Sequence, residues 1–205
     1  MILEQRGPLR VLRMQDADEA LRYRAGFVGA YQTVFSGPPY NERFFPSEAA
    51  SVLRRAVETP DHIVLLVVKG RSSVVAFGIG VPLSSRPDVS RSMQGLVPAE
   101  HSFYLAELGV LNQYRSQGLG KMLVEHRLRL IDRQKYSHVL LRTSLRRDGA
   151  MSIYEELGFE DMGVYMEVAS RRNDGSVRTD RRLFLSRVLA AEAAEEPISV
   201  SPTDG

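Results

Sequence analysis

The sequence predicts a mixed α/β fold: a mostly antiparallel sheet of about seven strands, with a central parallel pair and helices on both faces. Three observations predict it. Strand and helix patterns alternate between Phe103 and Leu157, and a strand-helix-strand crossover requires parallel pairing. Two pairs of strand-like runs, Ile63–Lys69 with Val74–Val81 and Val164–Val168 with Leu183–Val188, are joined by turn residues and read as antiparallel flanks. At Leu119 the period becomes helical, with Leu119, Met122, Leu123, His126 and Leu130 on one face.

The elements follow in order. Pro8 to Met14 reads as a strand. Asp16 and Asp18 open a helix, because acidic side chains suit the free amides and positive dipole end of a first turn. That helix runs to about Phe35 and is broken by Ser36-Gly37-Pro38-Pro39-Tyr40-Asn41. Pro46-Ser47-Glu48 begins a second helix with Ser47 as its expected N-cap, and Pro60 ends it. Gly70-Arg71-Ser72 turns the first hairpin, and Pro82 to Glu100 reads as loop. Phe103 to Leu111 and His138 to Thr143 are strands on either side of the Leu119 helix. Asp148 to Leu157 is a short helix closed by Gly158, and Asn173-Asp174-Gly175 turns the last hairpin. A single domain over 1–189 is expected, with 190–205 an Ala/Glu-rich and then Pro/Ser-rich tail that frays.

Composition removes several function classes. Cysteine is absent, which excludes disulfides, thiolate metal sites and a cysteine nucleophile. The four histidines, His62, His101, His126 and His138, lack ligand spacing, so no metal site is expected. No GxSxG elbow occurs. The net charge is +2, and the arginines around 171–182 have no interleaved aromatics, so no nucleic-acid partner is expected and a solvated hairpin is. The longest strongly apolar run, Ile63 to Val68, is far shorter than the roughly 20 residues of a membrane span. With no secretory layout at Met1–Arg6, a cytoplasmic location and no membrane partner are the expectations.

The stretch from Glu107 to Lys121 carries the chemistry. A strand ends, a short turn follows, and Gly118 and Gly120 open a long helix. Glycine lets a ligand approach the backbone, and the first helical amides have no internal acceptor, so the turn is a cradle for phosphate. Neither GxxxxGK[ST] nor GxGxxG fits here. The same glycines would also serve close helix-strand packing.

Arg115-Ser116-Gln117-Gly118-Leu119-Gly120 and, about forty residues on, Ala150, Tyr154 and Glu155-Glu156-Leu157-Gly158-Phe159 resemble two motifs of the GNAT N-acetyltransferase superfamily. The first is similar to its [Q/R]xxGx[G/A] pyrophosphate turn and the second to its Ala-x-x-x-Tyr-x-x-x-Gly-Phe segment. The resemblance spans Phe103 to Phe159. It implies an acetyl-CoA-dependent N-acetyltransferase with no metal. Acetyl-CoA would be held by Arg115, Ser116, Gln117, Gly118, Leu119, Gly120 and Lys121, and by backbone groups of Leu108 and Val110 on a splayed central strand. The family often has asparagine seven residues before the tyrosine; here that position is Arg147, whose guanidinium suits a CoA phosphate or solvent.

The resemblance also implies roles. Tyr154 would protonate the leaving thiolate, since a phenol with a pKa near 10 holds its proton at neutral pH. Glu107, on the central strand, would take the amine's proton, and its loss is expected to hurt most at low pH, where most amine is protonated. Strand alternation sets Glu107 and Gly109 on one face and Leu108 and Val110 on the other. Tyr40 and Glu42, after the Pro-Pro break, are expected to border the acceptor site, with Glu42 meeting an ammonium group. His101 reads as an exposed loop residue and His126 as core-lining. The partner is thus an amine-bearing acceptor, expected to be a small metabolite or antibiotic. A protein N-terminus, a lysine, or a non-catalytic acyl-CoA-binding regulator are the alternatives, and a homodimer stays open.

Overall fold

The computed structural model describes residues 1–38, 40–144 and 149–190. Pro39, residues 145–148 (Arg146, Arg147 and Asp148 among them) and, of the tail expected over 190–205, residues 191–205 lie outside them. One eight-stranded sheet has the order β1-β2-β3-β4-β5-β6-β8-β7. Its strands are β1 Ile2–Arg6, β2 Leu9–Met14, β3 Ile63–Lys69, β4 Ser73–Pro82, β5 Ser102–Val110, β6 His138–Ser144, β7 Glu160–Arg171 and β8 Val177–Val188. All neighbours are antiparallel except β5 and β6. The helices are α1 Ala17–Ser36, α2 Pro46–Glu58, α3 Pro87–Ser92, α4 Leu119–Leu130 and α5 Gly149–Glu156.

Local chemistry explains the boundaries. Asp16 caps α1, accepting from the Glu19 amide at 2.7 Å. Ser47 does not cap α2. The chain enters through Phe45 with Pro46 as the first helical residue, and Glu48 Oε2 accepts from the Phe45 amide at 2.6 Å. β3 is an unbroken apolar run because both its faces are covered: Ile63, Leu65 and Val67 pack under α4, while Val64, Leu66 and Val68 pack under α1 and α2.

The segment 82–100 is not all loop. Arg86 sits beside Asp88, Pro87 starts α3, and Val89 and Met93, one helical turn apart, are buried against Tyr104, Leu140 and Phe184. β1 adds an eighth strand ahead of the expected first one. β7 and β8 also extend well beyond their apolar cores, because charged residues alternate outward along a long hairpin. Among the described residues no helix is long and apolar enough to cross a membrane.

Two features of β5 open the middle of the sheet. Its register against β4 shifts between Ile79 and Gly80, so Ala106 is the extra, unpaired residue of a bulge. Its pairing with β6 ends at Leu105 and Leu141, after which the two strands diverge. Beyond the bulge, the Phe77 ring lies across Gly109, where an added Cβ would stand 2.2 Å from Cζ. Gly109→Ala should therefore cost about 1–3 kcal/mol of stability through overpacking. Thermal unfolding checks this, and an unchanged midpoint would show that the ring moves aside freely.

Candidate active site

The gap left where β5 and β6 part becomes a cavity of about 450 Å³. Leu105 to Leu108 line one side and Arg142 to Ser144 the other. α1 contributes Tyr31 and Phe35, α5 contributes Ala150 and Tyr154, and the β7–β8 hairpin closes the rim. Leu105, Leu108 and Tyr154 belong with the core under α4, whereas Tyr31 and Phe35 belong with the core under α1. The cavity therefore runs through the sheet and joins its two faces. Tyr40, Glu42, Glu107, Leu108 and Tyr154, candidates drawn from widely separated positions in the sequence, all line it.

At the α4 end the turn leaves backbone amides free. Ser116 and Gly118 take positive φ, of 58° and 75°. The Met122 amide closes the first turn of the helix onto Gly118 O at 3.0 Å, leaving the amides before it without an intrahelical acceptor. A Cβ on Gly120 would meet only Ile153 Cδ1 at 3.5 Å and Val110 Cγ2 at 4.0 Å, so this turn abuts both α5 and the central strand. Arg115 Nε donates to Val110 O at 3.3 Å. Lys121 pairs with Glu156 at 2.8 Å, tying α4 to α5. Gln117 Nε2 donates to Gln113 O at 3.2 Å. Arg147 lies outside the described residues.

Strand geometry aims the backbone of β5 into the gap. The Leu111 amide donates to Val75 O on β4 at 3.0 Å. By alternation, Leu108 and Val110 turn their amides the other way, toward the space that β6 has left. A diphosphate on the α4 amides and an extended amide-bearing arm along β5 fit this shape, so the residues present suit acetyl-CoA.

Tyr154 is buried on α5 and stacks edge-on against Phe159 at 5.8 Å. Gly158, at φ 76°, ends the helix so that the Phe159 amide returns to Tyr154 O at 3.0 Å. Glu107 faces the α1 side. Burial pushes its carboxyl up to about 7, against the pull of Arg86 and Arg142. Tyr31 is held well above the usual tyrosine range by burial and by the neighbouring Glu107.

Sequence reasoning missed Arg127. It is 1% exposed, one turn after Leu123 on the apolar face of α4. Its Nη1 donates at 3.0 Å to both Ile79 O and Glu107 O, where the bulge disturbs the ladder, and its Nε donates to Leu123 O at 3.1 Å. It has no carboxylate partner among the described residues, and burial lowers its pKa to about 10, opposed by Tyr154 and Glu107. A charge among apolar helix positions is the signal that would have found it. His126 is not core-lining; it is partly buried and bonds Glu4 of β1 at 2.8 Å. His101 is exposed, with Nδ1 on Lys135 O at 3.1 Å.

The hairpin arginines are not all solvated. Arg172 is buried, pairs with Asp180 and donates to Tyr40 O. Arg182 Nη2 meets Glu42 Oε1 at 2.6 Å, and its guanidinium lies 5.4 Å from the Tyr40 ring. The backbone holds the segment 40–43 as well: the Glu42 amide donates to Phe35 O at 2.8 Å and the Arg43 amide to Arg171 O at 2.8 Å. Glu42 thus reaches the cavity with its carboxylate already paired. Among the described residues no three acidic or histidine side chains gather as a metal site would require.

Comparison with known proteins agrees with this geometry. Residues 27–159 match the profile described as the acetyltransferase (GNAT) family. "Probable N-acetyltransferase family 8 member 5" of Mus musculus is 27% identical over 139 residues, which is 66% of this chain and 56% of that protein. N-acetyltransferase 8F1 of Rattus norvegicus is 31% identical over 102 residues, 50% of this chain and 42% of that one. The chain therefore spans about half the length of these curated relatives. The ribosomal-protein-S18-alanine N-acetyltransferase of Escherichia coli superposes with a TM-score of 0.60 at 16% identity, covering 92% of this chain and 98% of that one. NAA60 of Arabidopsis thaliana, solved with a bisubstrate analogue, gives 0.59 at 13% identity, with 88% and 99% covered. At such identities the superpositions establish the fold.

Proposed function

Because the chain belongs to the acetyltransferase (GNAT) family, we propose that it transfers the acetyl group of acetyl-CoA to a primary amine by direct attack in a ternary complex. Its form would be one cytoplasmic domain over 1–189 acting on a small amine. The observation that carries the proposal is the cavity through the sheet. Tyr154 and Leu108 line it from the α4 side and Glu107 from the α1 side.

Acetyl-CoA supplies an activated acetyl thioester, and the chain's own groups do the rest. The α4 amides and the Gly118–Gly120 turn bind the diphosphate. The Leu108 and Val110 amides orient the pantetheine arm, and the Val110 amide stabilises the oxyanion. Glu107 accepts a proton from the attacking nitrogen, directly or through water, and Tyr154 donates one to the departing sulfur. Tyr40 and Glu42 border the acceptor.

The test is acetyl-CoA consumption across a panel of small amines, together with Gly120→Glu. That substitution adds bulk and negative charge to the free amides and should weaken acetyl-CoA binding at least about tenfold by calorimetry, with folding intact by circular dichroism. Unchanged affinity would remove the diphosphate from α4. A panel with no turnover despite tight acetyl-CoA binding would favour a non-catalytic acyl-CoA sensor.

A further inference from the structure

We propose that the acceptor is a free α-amino acid with an apolar side chain, whose carboxylate is held by Arg142 while its amine meets Glu107. The inference rests on the N-acetyltransferase reading and names the substrate class of the same cavity.

Charge pairing leads to it. Four arginines line the cavity: Arg43, Arg142, Arg171 and Arg182. Arg182 is matched by Glu42 at 2.6 Å, and Arg171 by Glu48 at 3.6 Å. Arg43 is exposed at the rim, with its guanidinium 5.4 Å from the Phe45 ring. Arg142 differs from all three. It stands on β6 beyond the last residue paired with β5 and is partly buried. Among the described residues its Nη1 meets only the sulfur of Met166, at 3.1 Å, and no carboxylate lies within 4.0 Å of it. A thioether is a weak acceptor for a guanidinium, whose planar fork suits a carboxylate.

The facing acid is Glu107. Leu140 packs on the α3 side of the sheet and Leu141 on the α4 side, so alternation puts Arg142 on the α3 side. Glu107 is on that side too, being paired in register with Ile79 of the core under α1. The two groups act on each other electrostatically without forming an ion pair. An acceptor that is only cationic would find Glu42 and Glu48 already neutralised and Arg142 opposing it. A zwitterion with amine and carboxylate on one carbon satisfies both remaining groups. Tyr31, Phe35 and Phe44 give the cavity an aromatic wall for an apolar side chain.

The experiment compares kcat/KM for phenylalanine, phenylalaninamide and phenethylamine with saturating acetyl-CoA. Phenylalanine should exceed both analogues by at least about tenfold, the range of a charge-assisted pair. Arg142→Gln should bring that ratio toward one, and Arg142→Lys should restore part of it; thermal unfolding shows that each variant is folded. Equal or faster turnover of phenylalaninamide would overturn the proposal and point to peptide N-termini, leaving N-acetylation intact. A ratio unmoved by Arg142→Gln would also overturn it. Turnover of no amine, with acetyl-CoA still bound, would overturn the N-acetyltransferase reading and this proposal together.

Discussion

Tyr154→Phe is expected to lower the rate of acetyl transfer by about 10²–10⁴-fold while leaving acetyl-CoA affinity within about twofold. The substitution removes one oxygen. The phenyl ring can keep its edge-on packing with Phe159, since that contact uses ring atoms alone. The backbone around it is also untouched: Tyr154 O still receives the Leu157 and Phe159 amides that close α5. What disappears is the hydroxyl, on a side chain that lines the cavity beside Leu108 and within electrostatic reach of the buried Arg127. If that hydroxyl protonates the departing sulfur, its loss falls on the chemical step and not on binding. Rapid-quench single turnover measures the step, and calorimetry measures the affinity. An unchanged single-turnover rate would return Tyr154 to packing.

How far the sequence carries depends on the range of the interaction involved. Asp16 at the helix start, the apolar run of β3 and the helical face after Leu119 are local patterns, and they were legible. The β1 strand was not: Ile2 to Arg6 is an exposed edge strand with no apolar period to reveal it. α3 escaped because six residues hold too few turns to display periodicity. Tyr154 and the glycine turn were legible because their motifs are contiguous. Tyr40 and Glu42 were placed at the site from the sequence and do line the cavity, but their partner Arg182 was not legible, because it stands 140 residues from Glu42. The same distance explains Arg127 and Arg142. Propensity assigns arginine to the surface, whereas here a strand bulge supplies carbonyls to one and a strand divergence leaves the other facing a cavity.

Glu107→Gln is expected to cost most above neutral pH, the reverse of what an ordinary carboxylate would predict. A base with an ordinary carboxylate pKa, near 4.5, would be ionised throughout the working range, and its loss would tell most where the amine is protonated. Burial instead lifts Glu107 to about 7. Below that value the wild-type carboxyl is itself protonated and accepts nothing, so wild type and variant should converge. As pH rises through about 7, the wild-type carboxylate forms and kcat/KM should climb, while Gln stays neutral and loses that limb. Higher still, where solvent deprotonates the free amine, the need for a base fades and the two curves should approach each other again. The largest gap, expected to be about 10²-fold, therefore falls between about pH 7 and the amine's own pKa. Arg86 and Arg142 pull the same carboxyl downward. Removing the Arg142 charge should accordingly move the acidic limb to higher pH, a shift that loss of a mere packing contact would not produce. Parallel pH profiles of kcat/KM for wild type, Glu107→Gln and Arg142→Gln measure all of this. Superimposable profiles for the first two would mean that water or another group takes the proton.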